Sequence, residues 1–218
     1  MEELYNSIKQ LGIKYNASGI ILFGSRARGD YRQRSDIDIA VFSMPAENHG
    51  RFTDEIESLP TLLDFDIVFV SDSTDSKLLA NINKDGVVIM SKFDEKFSKY
   101  CEAVARLKEA VADYDRLKIS SVRDGAIQRF EFCTELAWKT ARESLADSGY
   151  IDLNSPKDVM RKAFSAGLID DDSAWIDILN SRNLTSHVYD EETAQKIFED
   201  IKTKYITQFD ALINKLSK

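Results

Sequence analysis

The stretch Phe23-Gly-Ser-Arg-Ala-Arg-Gly-Asp-Tyr-Arg-Gln-Arg-Ser-Asp-Ile-Asp38 is the most informative part of this sequence. It begins at the end of a short apolar run, Gly19 to Phe23, which is typical of a buried strand. A glycine at that point lets the backbone approach a ligand closely. If a helical turn follows, its free N–H groups and the Ser25 hydroxyl are suited to binding phosphate. We therefore expect Gly24 and Ser25 to form a phosphate-binding turn.

Two aspartates, Asp36 and Asp38, follow ten residues after this Gly-Ser pair. On a strand they point to the same face, with about 7 Å between their positions. Two neighbouring carboxylates repel each other unless a cation neutralises them. A site made only of oxygen ligands favours Mg²⁺ or Mn²⁺ over zinc. The spacing therefore predicts a divalent metal site beside bound phosphates, the arrangement that nucleotidyl transfer requires.

A third carboxylate is expected on a neighbouring strand, and the run Leu63 to Val70 offers Asp64 and Asp66. Both have the same parity and therefore share one face of the strand. Asp66 lies deeper in the strand, so we favour it as the base or third metal ligand, and Asp64 remains the alternative. Among the arginines after the Gly-Ser pair, Arg26 and Arg28 are best placed to contact a triphosphate.

The periodicity of the chain changes near residue 92. Up to about residue 91, apolar runs that resemble strands alternate with amphipathic helical segments, which predicts a small mixed α/β domain. From residue 93 to residue 218 the apolar spacing is helical, with helix-start signals such as Ser155-Pro156. We therefore predict two domains: an α/β domain over 1–91 and an all-α antiparallel helical bundle over 93–218.

Composition limits the classes of function. The 218 residues carry a net charge of −8, shared equally by the two halves, which counts against broad nucleic-acid binding. Two Cys and two His cannot form a four-cysteine zinc site, and the Cys spacing does not suggest a disulfide framework. No apolar run approaches the roughly 20 residues of a membrane span. We expect a cytoplasmic protein that makes no membrane contact.

A second motif lies in the helical half, in Ser181-Arg-Asn-Leu-Thr-Ser-His-Val-Tyr-Asp190. Arg182 and His187 are about 140° apart on an ideal helix, so they meet only if the helix ends or distorts between them, or across a dimer interface. The histidine is suited to acid–base chemistry, the arginine to stabilising phosphate charge, and Tyr189 to supplying a hydroxyl. The alternative is a polar helix end in which His187 caps the last carbonyls.

The first motif resembles the active site of the polymerase-beta-like nucleotidyltransferase superfamily, whose signature is Gly-Ser, ten residues and Asp-x-Asp. The resemblance covers about residues 1–91, and the short domain is similar to the minimal nucleotidyltransferases. It implies a nucleotide triphosphate substrate, with ATP as the expected nucleotide. It also implies metal binding by Asp36, Asp38 and the acid on the next strand.

The second motif resembles the HEPN family, and within it the nucleotidyltransferase substrate-binding proteins. The resemblance rests on Arg182, four residues, His187, one residue and Tyr189, and it covers about residues 93–218. It implies a homodimer formed through the bundle. Many HEPN proteins are ribonuclease toxins, and some partner nucleotidyltransferases act as antitoxins that transfer AMP to the HEPN tyrosine. Tyr189 is the acceptor that this resemblance implies.

Three hypotheses follow. The first is an Mg²⁺-dependent nucleotidyltransferase that transfers AMP from ATP to a hydroxyl, with Tyr189 as the candidate acceptor in a fused toxin–antitoxin-like module. The second is a ribonuclease that uses Arg182 and His187 and is held in check by the fused domain. The acidic charge of the bundle weighs against RNA as a partner. The third is a module that senses ATP without transferring any group.

Overall fold

The chain folds into two compact units, Met1–Glu95 and Lys96–Lys218, each with its own hydrophobic core. The structure, a computed structural model, describes residues 1–185 and 190–217. The first unit is a mixed α/β domain and the second is helical. This confirms the predicted fold class.

The first unit contains one four-stranded sheet in the order β3-β2-β1-β4. Its strands are β1 Gly19–Phe23, β2 Ile37–Phe42, β3 Phe65–Val70 and β4 Val87–Met90. Strand β1 is antiparallel to both of its neighbours, whereas β2 and β3 are parallel. The parallel pair requires a crossover connection, and a helix supplies it.

Helices surround this sheet and supply part of its core. They are α1 Glu2–Lys14, α2 Gly24–Arg28, α3 His49–Glu57 and α4 Ser76–Asp85, with a 3₁₀ turn at Ala46–Asn48. In β2 the side chains of Ile37, Ile39 and Val41 are buried. Because side chains alternate across a strand, this burial directs Asp38 to the opposite face.

His49 occupies a different environment from the one its sequence context suggests. The neighbouring Pro45 and Gly50 indicate a loop, but His49 begins α3 and stacks on the Phe69 ring at 3.7 Å between centroids. Its Nε2 lies 3.1 Å from the Met44 carbonyl oxygen. Packing against β3 explains this placement, and such long-range contacts are not encoded in local sequence.

The second unit is built from long helices around an apolar and aromatic core. They are α5 Lys92–Leu117, which begins in the first unit, α6 Ser120–Asp147, α7 Pro156–Ser165, α8 Asp172–Leu184, α9 Glu191–Asp200 and α10 Ile206–Leu216. A π-helical turn, Ile201–Tyr205, joins the last two, where the sequence predicts one regular helix over 191–217. Trp175, Phe130 and Phe209 pack in the core.

A buried arginine joins two of these helices. Arg123 on α6 is 3% exposed, and its guanidinium donates to both carboxylate oxygens of Glu191 on α9 and to Asp124. These hydrogen bonds raise the pKa of Arg123 and lower the pKa of Glu191. The buried Arg123 charge is therefore paired with two carboxylates whose own side chains stay exposed to solvent.

None of the helices in the described ranges combines the length and the apolar character that crossing a lipid bilayer demands.

Candidate functional site

The sheet register brings the predicted acidic residues together. Asp38 on β2 and Asp66 on β3 are direct partners across the parallel pair, so their Cα atoms are about 4.8 Å apart and their side chains share one face. Asp36 lies immediately before β2, two residues from Asp38. Asp64 precedes β3, and its carbonyl accepts a hydrogen bond from the Ile37 N–H at 2.9 Å.

Of the two candidate acids near β3, Asp66 is therefore the one directly beside Asp38. Asp64 lies one step further out, beyond the first residue of the strand. The electrostatics of the site also indicate that Asp66 is the nearer acid, because the charges of Asp66 and Asp36 raise the pKa of the Asp38 carboxyl and Asp64 is not among the causes of that shift. Alternation along the strand puts Asp64 and Asp66 on the same face, and the sheet register shows which of the two is the neighbour of Asp38.

Gly24 gives Asp38 the space that it occupies. Strand β1 ends at Phe23, and Gly24 turns the chain with φ of +68° into the short helix α2. A Cβ atom at this position would lie 2.2 Å from Asp38 Oδ2. Glycine is therefore required at position 24 for two reasons: the left-handed backbone conformation and the close approach of the Asp38 carboxylate.

The Asp38 carboxyl is half-buried, and its pKa is raised from the ordinary value. Burial is the largest cause, followed by the negative charges of Asp66 and Asp36, while the Arg28 guanidinium acts in the opposite direction. The negative charges of Asp66 and Asp36 beside the Asp38 carboxyl form an excess of negative charge that a cation relieves. The site is therefore electrostatically suited to a divalent ion.

The donor set fits Mg²⁺ bound together with phosphate. In the described parts of the chain, no group of three or more His, Cys, Asp or Glu side chains is close enough to enclose a metal ion. Mg²⁺ does not need such a cage, since it is commonly held by one or two carboxylates, waters and the phosphates of the substrate. Asp38 and Asp66, which are direct partners in the sheet, would supply two such carboxylates, and Asp36 stays the predicted third ligand.

Arg26 has a structural role that the sequence did not reveal. Its side chain is buried, Nε donates to the carbonyls of Ser35 and Asp36 at 3.0 Å each, and Nη2 donates to the Ser35 carbonyl at 2.6 Å. The guanidinium also lies over the Tyr31 ring at 4.8 Å. Arg26 thus holds the loop that carries Asp36, and its predicted contact with a triphosphate stays a prediction.

Arg28 and Ser25 remain accessible for the predicted phosphate contacts. Arg28 is exposed, and its Nε lies 3.3 Å from Asp30 Oδ2. The Ser25 carbonyl accepts hydrogen bonds from the N–H groups of Gly29 and Asp30, which closes α2. Gly29 itself adopts φ of +80°, so the helix stops after five residues.

The second predicted site is described only in part. Arg182 lies in the last turn of α8, and its Nη2 donates to Glu135 Oε1 at 3.1 Å. Three residues on, the Thr185 hydroxyl bonds to Glu131, also on α6. His187 and Tyr189 lie outside the described residues, so their predicted roles stay predictions.

Sequence reasoning missed the two glutamates on α6. Glu131 and Glu135 are four residues apart and therefore share one face of the helix, which is the face that meets the end of α8. The i, i+4 spacing was visible in the sequence. The contact with Arg182 was not, because it joins residues 47 positions apart.

The mixed sheet, the Gly24 turn and the paired aspartates define a nucleotidyltransferase domain of the polymerase beta type, and residues 6–95 match the family described as polymerase beta, nucleotidyltransferase. Residues 95–218 match the family described as nucleotidyltransferase substrate binding protein like. The chain belongs to this family, which accounts for more than half of its length. Both resemblances drawn from the sequence are thereby confirmed.

Individual proteins are similar to part of this chain. The probable ribonuclease HepT of Haemophilus influenzae is 40% identical over 81 residues, which are 35% of this chain and 56% of that protein. The chain thus matches little more than half the length of this curated relative.

Two solved structures are also similar. HI0074 of Haemophilus influenzae, described as the fold of a substrate binding domain of a nucleotidyltransferase, is 28% identical with a TM-score of 0.51. The match covers 56% of this chain and 99% of that one. A protein of Thermus thermophilus is 30% identical with a TM-score of 0.50, and that match covers 55% of this chain and 99% of the other.

Proposed function

We propose that this protein is an Mg²⁺-dependent nucleotidyltransferase that transfers AMP from ATP to a hydroxyl group. The observation that supports it is the register that pairs Asp38 with Asp66 beside Gly24. Asp36, Asp38 and Asp66 hold the divalent ion, while Gly24, Ser25 and Arg28 bind and orient the triphosphate. The ion, when bound, neutralises charge on the phosphates and on the carboxylates.

The protein's own groups then direct the transfer. The acceptor oxygen attacks the α-phosphorus in line with the bond to the β-phosphate oxygen, which breaks and releases pyrophosphate. Asp66 accepts the proton of the acceptor hydroxyl. The positive charge of Arg28 partly offsets the rise in the pKa of Asp38, so Arg28 lies close enough to act on the site. The acceptor that we propose is the Tyr189 hydroxyl, in the same chain or in a second copy.

Intact-mass measurement after incubation with ATP and Mg²⁺ tests this function. We expect an added AMP group, mapped by peptide analysis to Tyr189 and absent from Tyr189→Phe. Asp38→Asn should abolish the adduct, whereas the matched variant Asp64→Asn, which removes an acid one step further from Asp38, should retain it. An adduct of equal yield in Asp38→Asn would refute the proposed site.

The similarity to a probable ribonuclease supports a second candidate, in which the helical unit cleaves RNA with Arg182 and His187 and the first unit restrains it. Such a protein would be a toxin–antitoxin-like module in one chain. A homodimer through the helical unit would bring two Arg182–His187 pairs together. RNA cleavage that is lost in His187→Ala, together with a dimer mass in light scattering, would favour this candidate. A failure to add AMP would not count against this ribonuclease candidate.

A further inference from the structure

Tyr31 is an exposed aromatic residue next to the candidate active site. It lies in the loop of residues 29–36, which connects the turn at Gly24 and Ser25 to Asp36. Tyr31 is 49% exposed, whereas the other aromatic rings among the described residues of the first unit are buried or half-buried. The flat face of an exposed tyrosine is a surface on which another ring can stack. The loop therefore offers an aromatic contact to a ligand of the active site.

Arg26 holds the Tyr31 ring in place. Its guanidinium lies over the ring at 4.8 Å from the centroid, and a cation is attracted to the face of an aromatic ring. The same guanidinium donates to the carbonyls of Ser35 and Asp36. The ring is therefore fixed relative to the backbone that carries Asp36, although it is exposed. Such fixed orientation lowers the entropy cost of binding a ligand.

Tyr5 on α1 belongs to the same cluster. Its side chain is half-buried, and burial is the largest cause of its raised pKa. The positive charge of Arg26 acts to lower that pKa and Tyr31 acts to raise it, so the Tyr5 hydroxyl lies near both side chains. The surroundings of the Tyr31 ring are thus formed by three parts of the first unit: α1, α2 and the loop.

The position of the ring suits the base of a nucleotide. One guanidinium separates the Tyr31 ring from the carbonyl of Asp36, so the ring lies close to the acidic cluster without belonging to it. In a nucleoside triphosphate, the ribose likewise separates the base from the α-phosphate. A nucleotide whose phosphates lie at the Gly24 turn can therefore place its base against Tyr31.

We propose that Tyr31 stacks on the base of the nucleoside triphosphate and that this contact favours a purine over a pyrimidine. The base lies on the face of the ring opposite to Arg26, which acts as a positioning residue. A purine has two fused rings and covers more of the tyrosine than a pyrimidine does, so it buries more apolar area. The inference rests on the proposed function, because it concerns the base of the same nucleotide.

Calorimetric titration of the full-length protein in the presence of Mg²⁺ tests the proposal. The first probe is α,β-methylene-ATP, in which a carbon replaces the oxygen between the α- and β-phosphorus atoms. Transfer cannot break this bond, so the titration measures binding alone. The second probe is inorganic triphosphate, which supplies the phosphates without a base. The third is α,β-methylene-CTP, which we expect the natural protein to bind more weakly than the ATP analogue.

Three variants make the test specific. Tyr31→Ala should weaken binding of the ATP analogue about tenfold, leave binding of inorganic triphosphate unchanged and remove the preference over the CTP analogue. Tyr31→Phe keeps the ring and should bind all three probes normally. Tyr150→Ala is the matched control, because Tyr150 is also exposed and has a cation, Lys162, over its ring at 3.7 Å, but lies in the second unit. It should bind normally.

The probes separate a failure of this inference from a failure of the proposed function. A natural protein that binds none of the probes contradicts both. If it binds them, the inference alone is overturned when folded Tyr31→Ala keeps its full affinity for the ATP analogue. Equal losses for that analogue and inorganic triphosphate also overturn it, since the ring would then act only by supporting the loop. Equal affinity of the natural protein for the ATP and CTP analogues overturns the purine preference. Circular dichroism verifies that each variant is folded.

Discussion

At the scale of single residues, the candidate active site depends on how closely one backbone atom approaches one carboxylate. Gly24 has a left-handed backbone, and the space where a side chain would begin is occupied by Asp38. Gly29, five residues on, has a similar φ but has no atom within 4 Å of the position of a Cβ. An alanine at Gly29 would bear only the cost of the left-handed backbone, whereas an alanine at Gly24 would also contact Asp38. Comparing the two positions therefore separates these two costs.

Gly24→Ala should destabilise the protein more than Gly29→Ala. Each variant places an L-residue in the left-handed region, at a cost of about 1–2 kcal/mol in the free energy of unfolding. Gly24→Ala must in addition displace the Asp38 carboxylate, so it should also lose nucleotidyl transfer. Urea unfolding and the intact-mass assay measure both effects. Equal stability losses in the two variants would show that the contact with Asp38 costs nothing.

Asp38→Asn should be more stable than the natural protein at pH 7 when divalent ions are removed. Folding raises the pKa of Asp38, so ionising this group costs stability. The cost begins as pH rises through the unfolded pKa of about 3.9 and is complete above the raised folded pKa. The difference should therefore vanish at low pH, as urea unfolding in EDTA at a series of pH values would show.

Mg²⁺ supplies the control for this prediction. The ion should stabilise the natural protein, because it neutralises the clustered carboxylates, and should have a smaller effect on Asp38→Asn. A natural protein that is the more stable of the two at neutral pH in EDTA would contradict the electrostatic explanation.

At the scale of elements, the loop between α2 and β2 determines where Asp36 lies. This loop, residues 29–36, is tied to α2 by Arg26, whose guanidinium donates to two consecutive carbonyls. A turn within it adds hydrogen bonds between Arg32 and Ser35. The helix, the loop and the strand thus form one unit that presents a phosphate-binding turn and an acid pair together.

Arg26→Ala should lower the free energy of unfolding by about 2 kcal/mol, since it removes charge-assisted hydrogen bonds and leaves carbonyls without partners. It should also weaken the stabilisation by Mg²⁺, because Asp36 loses its support. Arg34→Ala, an exposed arginine of the same loop, should change stability by less than about 0.5 kcal/mol. Thermal unfolding with and without Mg²⁺ measures both. If Arg34→Ala lowers the stability as much as Arg26→Ala does, the loss of stability arises from the change in net charge and not from the Arg26 hydrogen bonds.

At the scale of the whole molecule, two cores occur in one chain. The core of the first unit contains residues such as Ile8, Ile39 and Phe52, and that of the second contains Phe130, Trp175 and Phe209. Two similar proteins have been solved as separate chains, and each match covers 99% of the solved chain but only 56% or 55% of this one. Each core is therefore expected to support folding of its own unit.

Residues 92–218, which keep α5 intact, should fold when produced alone. The reason is that the apolar side chains of this core all come from this segment. We expect a helical circular-dichroism spectrum and a single cooperative thermal transition. A spectrum of an unfolded chain would show that the bundle needs the first unit.

The sequence by itself determined the class of each unit and the composition of the acidic site. A Gly-Ser turn, the spacing to Asp36 and Asp38, and the change from strand to helical periodicity are local patterns, and local patterns encode secondary structure and the face on which a residue lies. The helix start at Ser155 and Pro156 was readable for the same reason.

Only the tertiary structure decided which residues meet. The sequence favoured Asp66 over Asp64 only by its depth in the strand, whereas its position directly beside Asp38 follows from the register of two parallel strands, which depends on packing of their buried side chains. The hydrogen bonds of Arg26 to the carbonyls of Ser35 and Asp36 and the contact of Arg182 with Glu135 between two helices were likewise not predicted from the sequence. These contacts join residues that are distant in the chain or depend on how a loop folds back. Periodicity and spacing carry no information about them, because they arise only when the elements pack.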